Sequence, residues 1–228
     1  MCSIVHAALF VRVQRAGFYR AMIDAALAQL PAPTNPGASL LDVGCGPGLL
    51  ARRAAALGYS SAGIDQDAAM VRAARLLGGR SKATFSRGTA ESVATGGERY
   101  AVVAASSLLA VVPDRDATCA ALWSTVAPSR TLLIIEPSER MTVEAARTLA
   151  GSGRVGRDAG LLVTWARARA GRSVGTALFG GLQDVASVRH APLLEGLVTA
   201  SLVTQEPNPA TGSASPFSGG LHRRSSID

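Results

Sequence analysis

A short run of apolar residues followed by three closely spaced glycines restricts what this chain can fold into more than any other feature. The run is LLDVGCGPGLL, residues 40–50. Residues 40–43 are typical of a buried strand, and Leu49 begins a helical pattern that Gly58 ends. A glycine-rich turn between a strand and a helix presents backbone N–H groups to a ligand at the helix N-terminus. The segment therefore predicts the first strand, a ligand-binding turn and the following helix of an α/β fold.

Apolar runs of strand length alternate with Ala- and Leu-rich stretches of helical length along the rest of the chain. This alternation predicts a parallel sheet with helices on both faces. The chain has 228 residues, of which 48% are hydrophobic, and this size favours a single core. The predicted strands are residues 40–43, 61–64, 83–86, 100–105 and 130–137. The predicted helices are residues 17–30, 49–57, 68–77 with Asp67 as N-cap, and a helix to Val126 that Asp114 or Asp116 caps.

The last two apolar runs, residues 187–194 and 197–205, differ from the others. Only Glu195 and Gly196 separate them, and this connection is too short for the crossover that parallel strands need. The two runs therefore predict an antiparallel hairpin at the edge of the sheet.

Residues 138–181 form a long helical segment that is rich in Arg and Gly. Because the segment is longer than a crossover requires, we expect part of it to be an insertion that covers a site as a lid. Residues 1–205 are expected to form one domain. Residues 206–228 are rich in Pro, Gly and Ser, so we expect a disordered tail.

The net charge of the chain raises the question of a nucleic-acid partner. Lys and Arg number 23 against 16 Asp and Glu, which gives +7 and favours polyanions such as RNA. However, Lys82 is the only lysine, and the arginines are scattered over predicted helices rather than grouped. We therefore expect no nucleic-acid partner.

The three cysteines, Cys2, Cys45 and Cys119, lie far apart and show no CxxC or Cys/His spacing. Neither a disulfide framework nor a metal site is indicated, and a reducing cytoplasm is the expected location. No apolar stretch reaches the length of a membrane span, so no membrane insertion is expected.

The glycine turn discriminates between two kinds of ligand. Gly44, Gly46 and Gly48 form GxGxG, whereas a pyrophosphate-binding turn has a GxGxxG frame. Asp42 would repel a pyrophosphate but attract a cation, by roughly 4 kcal/mol at ~4 Å and an effective dielectric of ~20 before desolvation. Asp65 ends the next strand, where its carboxylate can accept hydrogen bonds from ribose hydroxyls. S-adenosylmethionine carries both a cationic centre and a ribose, so it suits both acids.

Five motifs follow one another along the chain: LLDVGCGPG, GIDQDAAMVRAAR, RGTAESV, YAVVAASSLLAVVPD and LLIIEPS. In this combination the chain resembles the class I S-adenosylmethionine-dependent methyltransferases of small molecules, over roughly residues 40–137. The resemblance implies a doubly wound, seven-stranded Rossmann-like sheet of strand order 3-2-1-4-5-7-6. It also implies methyl transfer to an O, N or C nucleophile of a small-molecule acceptor. Methylation of RNA or protein stays an alternative, which only the charge supports.

The resemblance further implies a set of cofactor-binding residues at the carboxyl ends of the first, second and fourth strands and in the loop after the third. They are expected to bind the methionine portion (Asp42, Gly44, Cys45, Gly46), the ribose (Asp65), the adenine (Gln66, Met70, Thr89, Ala90) and the methionine ammonium (Ser106).

The chain departs from the family pattern at two places. Thr89 stands where the family commonly has an Asp, so we expect weaker binding of the adenine. Ala101, Ala110 and Val111 stand where the fourth strand and its loop usually carry an Asp and one or two histidines. No general base is assigned, and a degenerate domain that binds the cofactor without turnover stays open.

Three residues are predicted to lie on the acceptor side of the site. Tyr19 lies in an N-terminal helix of the kind that often covers the site in the family. Trp165 lies in the predicted lid, with ordinary core packing as the alternative. Glu136 ends the fifth strand, where it can orient the acceptor or cap a helix. Cys45 is interpreted as a small packing residue, since no histidine is near it in the sequence to activate it as a nucleophile.

Overall fold

Seven strands form one sheet in the computed structural model, which describes residues 3–33 and 37–207, with side chains from residue 7 onward. The strands are β1 (Ser39–Val43), β2 (Ser60–Asp65), β3 (Thr84–Arg87), β4 (Tyr100–Ser106), β5 (Val126–Pro137), β6 (Val185–Leu193) and β7 (Val198–Gln205). Their spatial order is β3-β2-β1-β4-β5-β7-β6, which confirms the order that the resemblance implies. The predicted tail lies outside the described residues from residue 208 onward.

The direction of the strands brings the carboxyl ends of the central strands together, where a ligand can bind. Strands β1 to β5 pair in parallel, so the carboxyl ends of β1, β2 and β4 meet at one edge. Strand β7 is antiparallel to both β5 and β6, which confirms the predicted hairpin. The order reverses between β1 and β4, and doubly wound sheets bind their ligands at such a switch point.

Helices cover both faces of this sheet. They are α1 (Ser3–Arg15), α2 (Gly17–Leu27), α3 (Leu49–Ala56), α4 (Ala68–Gly78), α5 (Ala90–Gly96), α6 (Arg115–Ser124), α7 (Val143–Gly151) and α8 (Ala159–Arg169). Short 3-10 helices occupy Gly156–Asp158, Thr176–Gly181 and Leu194–Gly196.

Alternating side chains along the central strands divide the core into two layers. Leu133 and Ile135 pack with buried residues of α2, α3, α7 and α8 on one face. Leu132 and Ile134 pack with α5, α6 and Phe179 on the other face. Both faces of β5 are therefore buried, as expected for a central strand of an α/β fold.

The structure differs from the sequence prediction at some helix boundaries. Helix α6 ends at Ser124 rather than Val126, and Val126 already pairs with Tyr100 in the sheet. A shift in register before Thr131 separates this pair from the rest of β5, so the strand begins earlier than predicted. The predicted N-cap is confirmed at Asp114, which accepts a hydrogen bond from the Ala117 N–H at 2.9 Å.

Two helices were not predicted from the sequence. Helix α1 includes the apolar residues near the N-terminus, for which no helix was predicted. Helix α5 is seven residues long and begins with a capping box, in which Thr89 and Ser92 satisfy each other's backbone N–H groups. Such a short helix depends more on its cap than on an apolar periodicity, so periodicity alone does not reveal it.

The segment from 138 to 181 lies against the N-terminal helices. Asp158 of this segment accepts a hydrogen bond from the Gly17 N–H at 2.6 Å, which places a negative charge at the start of α2. In addition, the Trp165 ring of α8 lies 6.1 Å from the Phe18 ring of α2. The segment and α2 therefore form one continuous cover.

The glycine turn packs against β3 in a way that only glycine allows. Gly48 has φ +77°, and a Cβ atom at this position would lie 2.5 Å from Cε1 of Phe85. Gly63 of β2 makes a similar close approach, since its Cβ would lie 2.9 Å from Phe85 and 3.0 Å from Cys45. The turn can therefore lie close against the sheet because Gly48 and Gly63 have no side chains.

We expect Gly48→Ala to destabilise the protein by more than Gly97→Ala does. Both glycines have φ near +75°, but nothing lies within 4 Å of a Cβ at Gly97. The control substitution therefore carries only the backbone cost of about 1–2 kcal/mol, while Gly48→Ala adds overpacking of about 1–3 kcal/mol. Urea unfolding of both variants measures the difference. Equal losses in the free energy of unfolding would show that the contact with Phe85 is not tight.

Candidate active site

Hydrogen bonds fix the glycine turn from two directions. The Gly46 N–H donates to Oδ2 of Asp65 at 2.9 Å, and the Cys45 N–H donates to the Ile64 carbonyl at 2.9 Å. From the other side, Oε1 of Gln14 in α1 accepts from the Leu49 N–H at 3.1 Å. The turn is therefore tied to the end of β2 and covered by α1. Sequence reasoning did not identify Gln14, because no local motif marks a helix cap from 35 residues away.

Asp42 lies beneath the turn rather than at its surface. Its side chain is 1% exposed and accepts a hydrogen bond from the Ala51 N–H at 3.3 Å. Burial raises the pKa of this carboxyl group to about 7, and the nearby Asp65 charge also raises it. Near neutral pH the group is thus only partly ionised, so its attraction for a cation is smaller than the sequence argument assumed. A role toward the methionine portion stays a prediction.

Asp65 lies at the end of β2, and its carboxylate can accept further hydrogen bonds. Its two oxygens accept from the N–H groups of Gly46 and Asp67, at 2.9 and 2.8 Å. Burial raises the pKa of Asp65 above its ordinary value. Each carboxylate oxygen has more than one acceptor site, so the side chain can still accept from ribose hydroxyls.

The predicted adenine-side residues lie beyond Asp65. Gln66 is exposed, Met70 is buried in α4, and Ala90 is buried at the start of α5. The Thr89 hydroxyl caps α5 by accepting from the Ser92 N–H at 3.2 Å. This bond leaves one lone pair and the hydroxyl proton for a ligand.

Cys45 is a buried packing residue in the turn. A Cβ at Gly63 would lie 3.0 Å from its sulfur, and that sulfur lies 3.5 Å from the Gly46 carbonyl oxygen. Burial raises the pKa of the thiol, so the reactive thiolate is disfavoured.

The predicted residues Tyr19, Ser106 and Trp165 come together at the end of β4. The Tyr19 hydroxyl lies 3.3 Å from the Ser106 hydroxyl, and its ring lies 5.4 Å from the Trp165 ring in an edge-to-face arrangement. Tyr19 is 1% exposed and Trp165 is 3% exposed. Trp165 thus belongs to the core layer that includes α2 and also contacts a residue that reaches the carboxyl edge of the sheet.

Glu136 holds the loop that follows β4. Its Oε1 accepts from the Leu109 N–H at 2.7 Å and its Oε2 from the Ala110 N–H at 3.3 Å. Burial raises the pKa of Glu136 to about 8, although these hydrogen bonds oppose the shift. The side chain therefore fixes the backbone of this loop and is mostly protonated at neutral pH.

Arg169 completes this group, although it was not identified from the sequence. It is 6% exposed, and Tyr19 and Glu136 are close enough that their charges affect its pKa, which burial lowers. Arg169 follows Trp165 by four residues, so both side chains lie on one face of α8. This spacing is the sequence signal that could have revealed Arg169. We refer to Tyr19, Ser106, Glu136, Trp165 and Arg169 as the acceptor-side cluster.

Three arginines of the segment from 138 to 181, Arg154, Arg157 and Arg172, are candidates for attracting an acidic group of the acceptor, and all three lie at the surface. Arg154 pairs with Glu195 at 2.8 Å, and Arg157 is exposed. Arg172 is also exposed, but its Nη1 donates to the Ala110 carbonyl at 3.4 Å. Of the three, only Arg172 contacts the loop after β4.

One cavity lies beside the acceptor-side cluster and a second cavity lies farther from it. One, of about 420 Å³, reaches Glu136 between the ends of β5 and β7 and the segment that contains Val174. The other, of about 510 Å³, lies between α7 and the turn at Glu195. The second is formed by helix α7 rather than by the ends of the central strands, so it is not part of the site.

The family of this chain follows from a match along most of its length. A family model described as a methyltransferase domain matches residues 13–172, a range that contains the glycine turn, both strand-end acids and the acceptor-side cluster. The chain belongs to this methyltransferase family. A comparison with curated proteins finds no match.

Solved structures of methyltransferases share this fold. Magnesium protoporphyrin IX methyltransferase from Synechocystis PCC 6803, with bound S-adenosylhomocysteine, is 18% identical over 87% of this chain and 94% of its own, with a TM-score of 0.60. A plantazolicin methyltransferase in complex with a desmethyl analogue is 13% identical over 87% and 89%, with a TM-score of 0.62. A protein from a study of thioacetal formation in echinomycin biosynthesis is 22% identical over 84% and 83%, with a TM-score of 0.56.

The enzyme is an S-adenosylmethionine-dependent methyltransferase, and its turn fits that cofactor. A Cβ at Gly46 would be in van der Waals contact with Nε2 of Gln14 at 3.5 Å and Phe10 at 3.9 Å, so side chains of α1 lie against the backbone of the turn. Asp65, with spare acceptor sites, lies beside the turn. Within residues 3–33 and 37–207, no group of three or more His, Cys, Asp or Glu could hold a metal ion. No helix in the described part of the chain has the length and hydrophobicity needed to cross a membrane.

We expect the stability of the methyltransferase to fall as the pH rises through about 7, in part because of Asp42. Its pKa rises from 3.8 to about 7 on folding, so between these values the folded protein binds more protons than the unfolded chain. The stabilisation is complete below about pH 4 and is lost above the folded pKa, with a slope of at most about 1.4 kcal/mol per pH unit. Asp42→Asn should flatten this slope in urea unfolding at several pH values.

Glu139→Gln serves as the control for this experiment, since Glu139 is exposed. Its pH profile should match that of the wild type. An Asp42→Asn profile as steep as the wild type would mean that Asp42 titrates normally in the folded protein.

Proposed function

We propose that this methyltransferase transfers the methyl group of S-adenosylmethionine to a small-molecule acceptor at the carboxyl ends of β4 and β5. The observation that carries the proposal is the position of Tyr19, whose hydroxyl lies 3.3 Å from the Ser106 hydroxyl and whose ring packs edge-to-face 5.4 Å from the Trp165 ring. Helices α2 and α8 thus meet above the end of β4. A small molecule can approach a strand end that is covered in this way more readily than the surface of a folded macromolecule can.

In this proposal the cofactor is held along the edge of the sheet. Asp65 accepts hydrogen bonds from the ribose hydroxyls, and the backbone from Gly44 to Gly46 lies along the methionine portion. Ser106 contacts the ammonium group, and Thr89 accepts from the adenine. When bound, S-adenosylmethionine supplies an electrophilic methyl group on a good leaving group, so positioning and exclusion of water matter more than acid–base chemistry.

The acceptor-side cluster provides that positioning. Tyr19 and Trp165 are almost fully buried, so they exclude water from the end of β4. Glu136, whose pKa burial raises to about 8, can take up a proton from an acceptor in the molecules in which it is ionised, a fraction that grows as the pH approaches 8. This role fits a chain in which the loop after the fourth strand has Ala110 and Val111 where the family usually has histidine. The acceptor atom is an oxygen, a nitrogen or a carbon nucleophile.

Methylation of RNA or protein is the second candidate, and the charge of +7 favours it. Labelled methyl transfer into a cell extract separates the two, after dialysis into small-molecule and macromolecular fractions. Label in the dialysable fraction supports a small acceptor. Label that stays with RNA or protein, and that falls with added salt, would favour the second candidate. Binding of the cofactor without any transfer would favour a degenerate domain. A cytoplasmic location stays a prediction.

We expect Asp65→Ala to weaken the binding of S-adenosylhomocysteine by ~2–4 kcal/mol, because two charge-assisted hydrogen bonds to the ribose are lost. Asp65→Asn, which keeps one carbonyl acceptor, should lie between the variant and the wild type. Isothermal titration calorimetry measures all three affinities, and melting temperatures check that the Gly46 turn survives. Equal affinities in all three proteins would mean that the ribose is held elsewhere.

A further inference from the structure

Two hydrogen-bond donors of the acceptor-side cluster have no acceptor among the described residues. They are the Trp165 Nε1 and the Arg169 Nε, both of which are fully buried atoms. The two residues are 3% and 6% exposed and lie four residues apart on α8, so their side chains share one face of the helix. Buried donors of this kind normally find a partner, and each exception needs an explanation.

The surroundings of Arg169 do not neutralise its charge. Its Nη1 reaches only the carbonyl of the adjacent residue Ala168, at 3.3 Å, and its guanidinium lies 5.3 Å from the centre of the Phe10 ring. No Asp or Glu among the described residues forms an ion pair with Arg169. Burying a guanidinium without an anion is unfavourable.

Glu136 is not the missing anion. Its two carboxylate oxygens accept from the N–H groups of Leu109 and Ala110, and its raised pKa leaves it close to half neutral near pH 8. The other neighbours that affect Arg169 are Tyr19, which burial keeps neutral, and the cation Arg172. The local field is therefore positive, and an anion would find both a charge and an N–H donor.

We propose that Trp165 and Arg169 bind a carboxylate of the methyl acceptor, so that the enzyme selects small carboxylic acids. The Arg169 Nε–H and the Trp165 Nε1–H each donate to this carboxylate, with the guanidinium providing the charge. Both donors belong to the cluster around Tyr19 and Ser106, which places the acceptor over the end of β4. This inference rests on the proposed function, because it assigns the substrate class of the same site.

The cofactor has a carboxylate of its own, and its binding must be separated from that of the acceptor. Arg169 lies one helical turn after Trp165, whose ring contacts Tyr19, although its guanidinium also lies over the Phe10 ring of α1, which is near the turn at Gly46. We therefore place the ligand of Arg169 on the acceptor side. Binding of S-adenosylhomocysteine, compared with 5′-methylthioadenosine, which lacks a carboxylate, tests this choice.

The main test uses the two indole N–H signals of the protein in nitrogen-15 correlation spectra. The chain has two tryptophans, and Trp123 donates to the Gln183 carbonyl at 2.8 Å, so its signal is an internal control. Benzoate is titrated into the complex with S-adenosylhomocysteine. We expect the Trp165 signal to shift with saturation while the Trp123 signal stays, and we expect benzamide, which has no charge, to bind at least tenfold more weakly.

Variants of two arginines on the same helix complete the design. Arg169→Gln should weaken benzoate at least tenfold and leave the affinity for S-adenosylhomocysteine unchanged. Arg167→Gln, at an exposed position of α8, should change neither affinity. The inference is overturned if benzoate does not shift the Trp165 signal, or if Arg169→Gln binds it as the wild type does.

The inference is also overturned if Arg169→Gln weakens S-adenosylhomocysteine but not 5′-methylthioadenosine, since Arg169 would then bind the cofactor's carboxylate. Failure of the proposed function has a different signature. In that case the wild-type protein transfers no label to dialysable molecules, whatever benzoate does.

Discussion

The close contact between the glycine turn and Phe85 is the constraint on which the rest of the site depends. Gly48 and Gly63 both lack the side chain that would collide with this ring. Because the turn can lie flat against β3, the Gly46 N–H reaches Asp65 and the Leu49 N–H reaches Gln14. The lack of side chains at these two glycines thus helps to position the start of α3, Asp65 and helix α1.

The acceptor side depends on a second set of contacts, made by buried polar groups. Glu136 fixes the loop after β4 through two backbone N–H groups, and a Cβ at Gly44 would lie 2.8 Å from Leu108 in that loop. Asp158, in the segment from 138 to 181, accepts a hydrogen bond from the Gly17 N–H at the start of α2. The loop after β4 and the glycine turn therefore support one another, so a change in one of them is expected to affect the other.

Local sequence patterns predicted most of the strands and the terminal hairpin, whereas the order of the strands was implied by the resemblance to the methyltransferases and is confirmed by the structure. Apolar runs marked the strands, and the short connection at Glu195 allowed only an antiparallel hairpin. The acids Asp67 and Asp114 were identified as helix caps, and both accept the expected backbone hydrogen bond. The start of β5 was placed too late, because a register shift before Thr131 has no sequence signature.

The direction of individual side chains could not be predicted in the same way. The sequence placed Asp42 at the end of β1, but it did not indicate that the side chain is buried and accepts a hydrogen bond from the Ala51 N–H of α3. Spacing fixes which strand end a residue occupies, but helix packing decides how far it is desolvated. The lack of a partner at Arg169 is also a tertiary property, since it depends on what α1, α2 and β5 bring near the helix.

The most direct measurement is a crystal structure of the protein with S-adenosylhomocysteine bound. We expect the ribose hydroxyls to lie within hydrogen-bonding distance of the Asp65 carboxylate. We also expect the sulfur to point toward the Ser106 and Tyr19 hydroxyls, beneath α2 and α8. A ligand bound away from the glycine turn, or one whose sulfur faces away from these two helices, would contradict the proposed methyl transfer at the ends of β4 and β5.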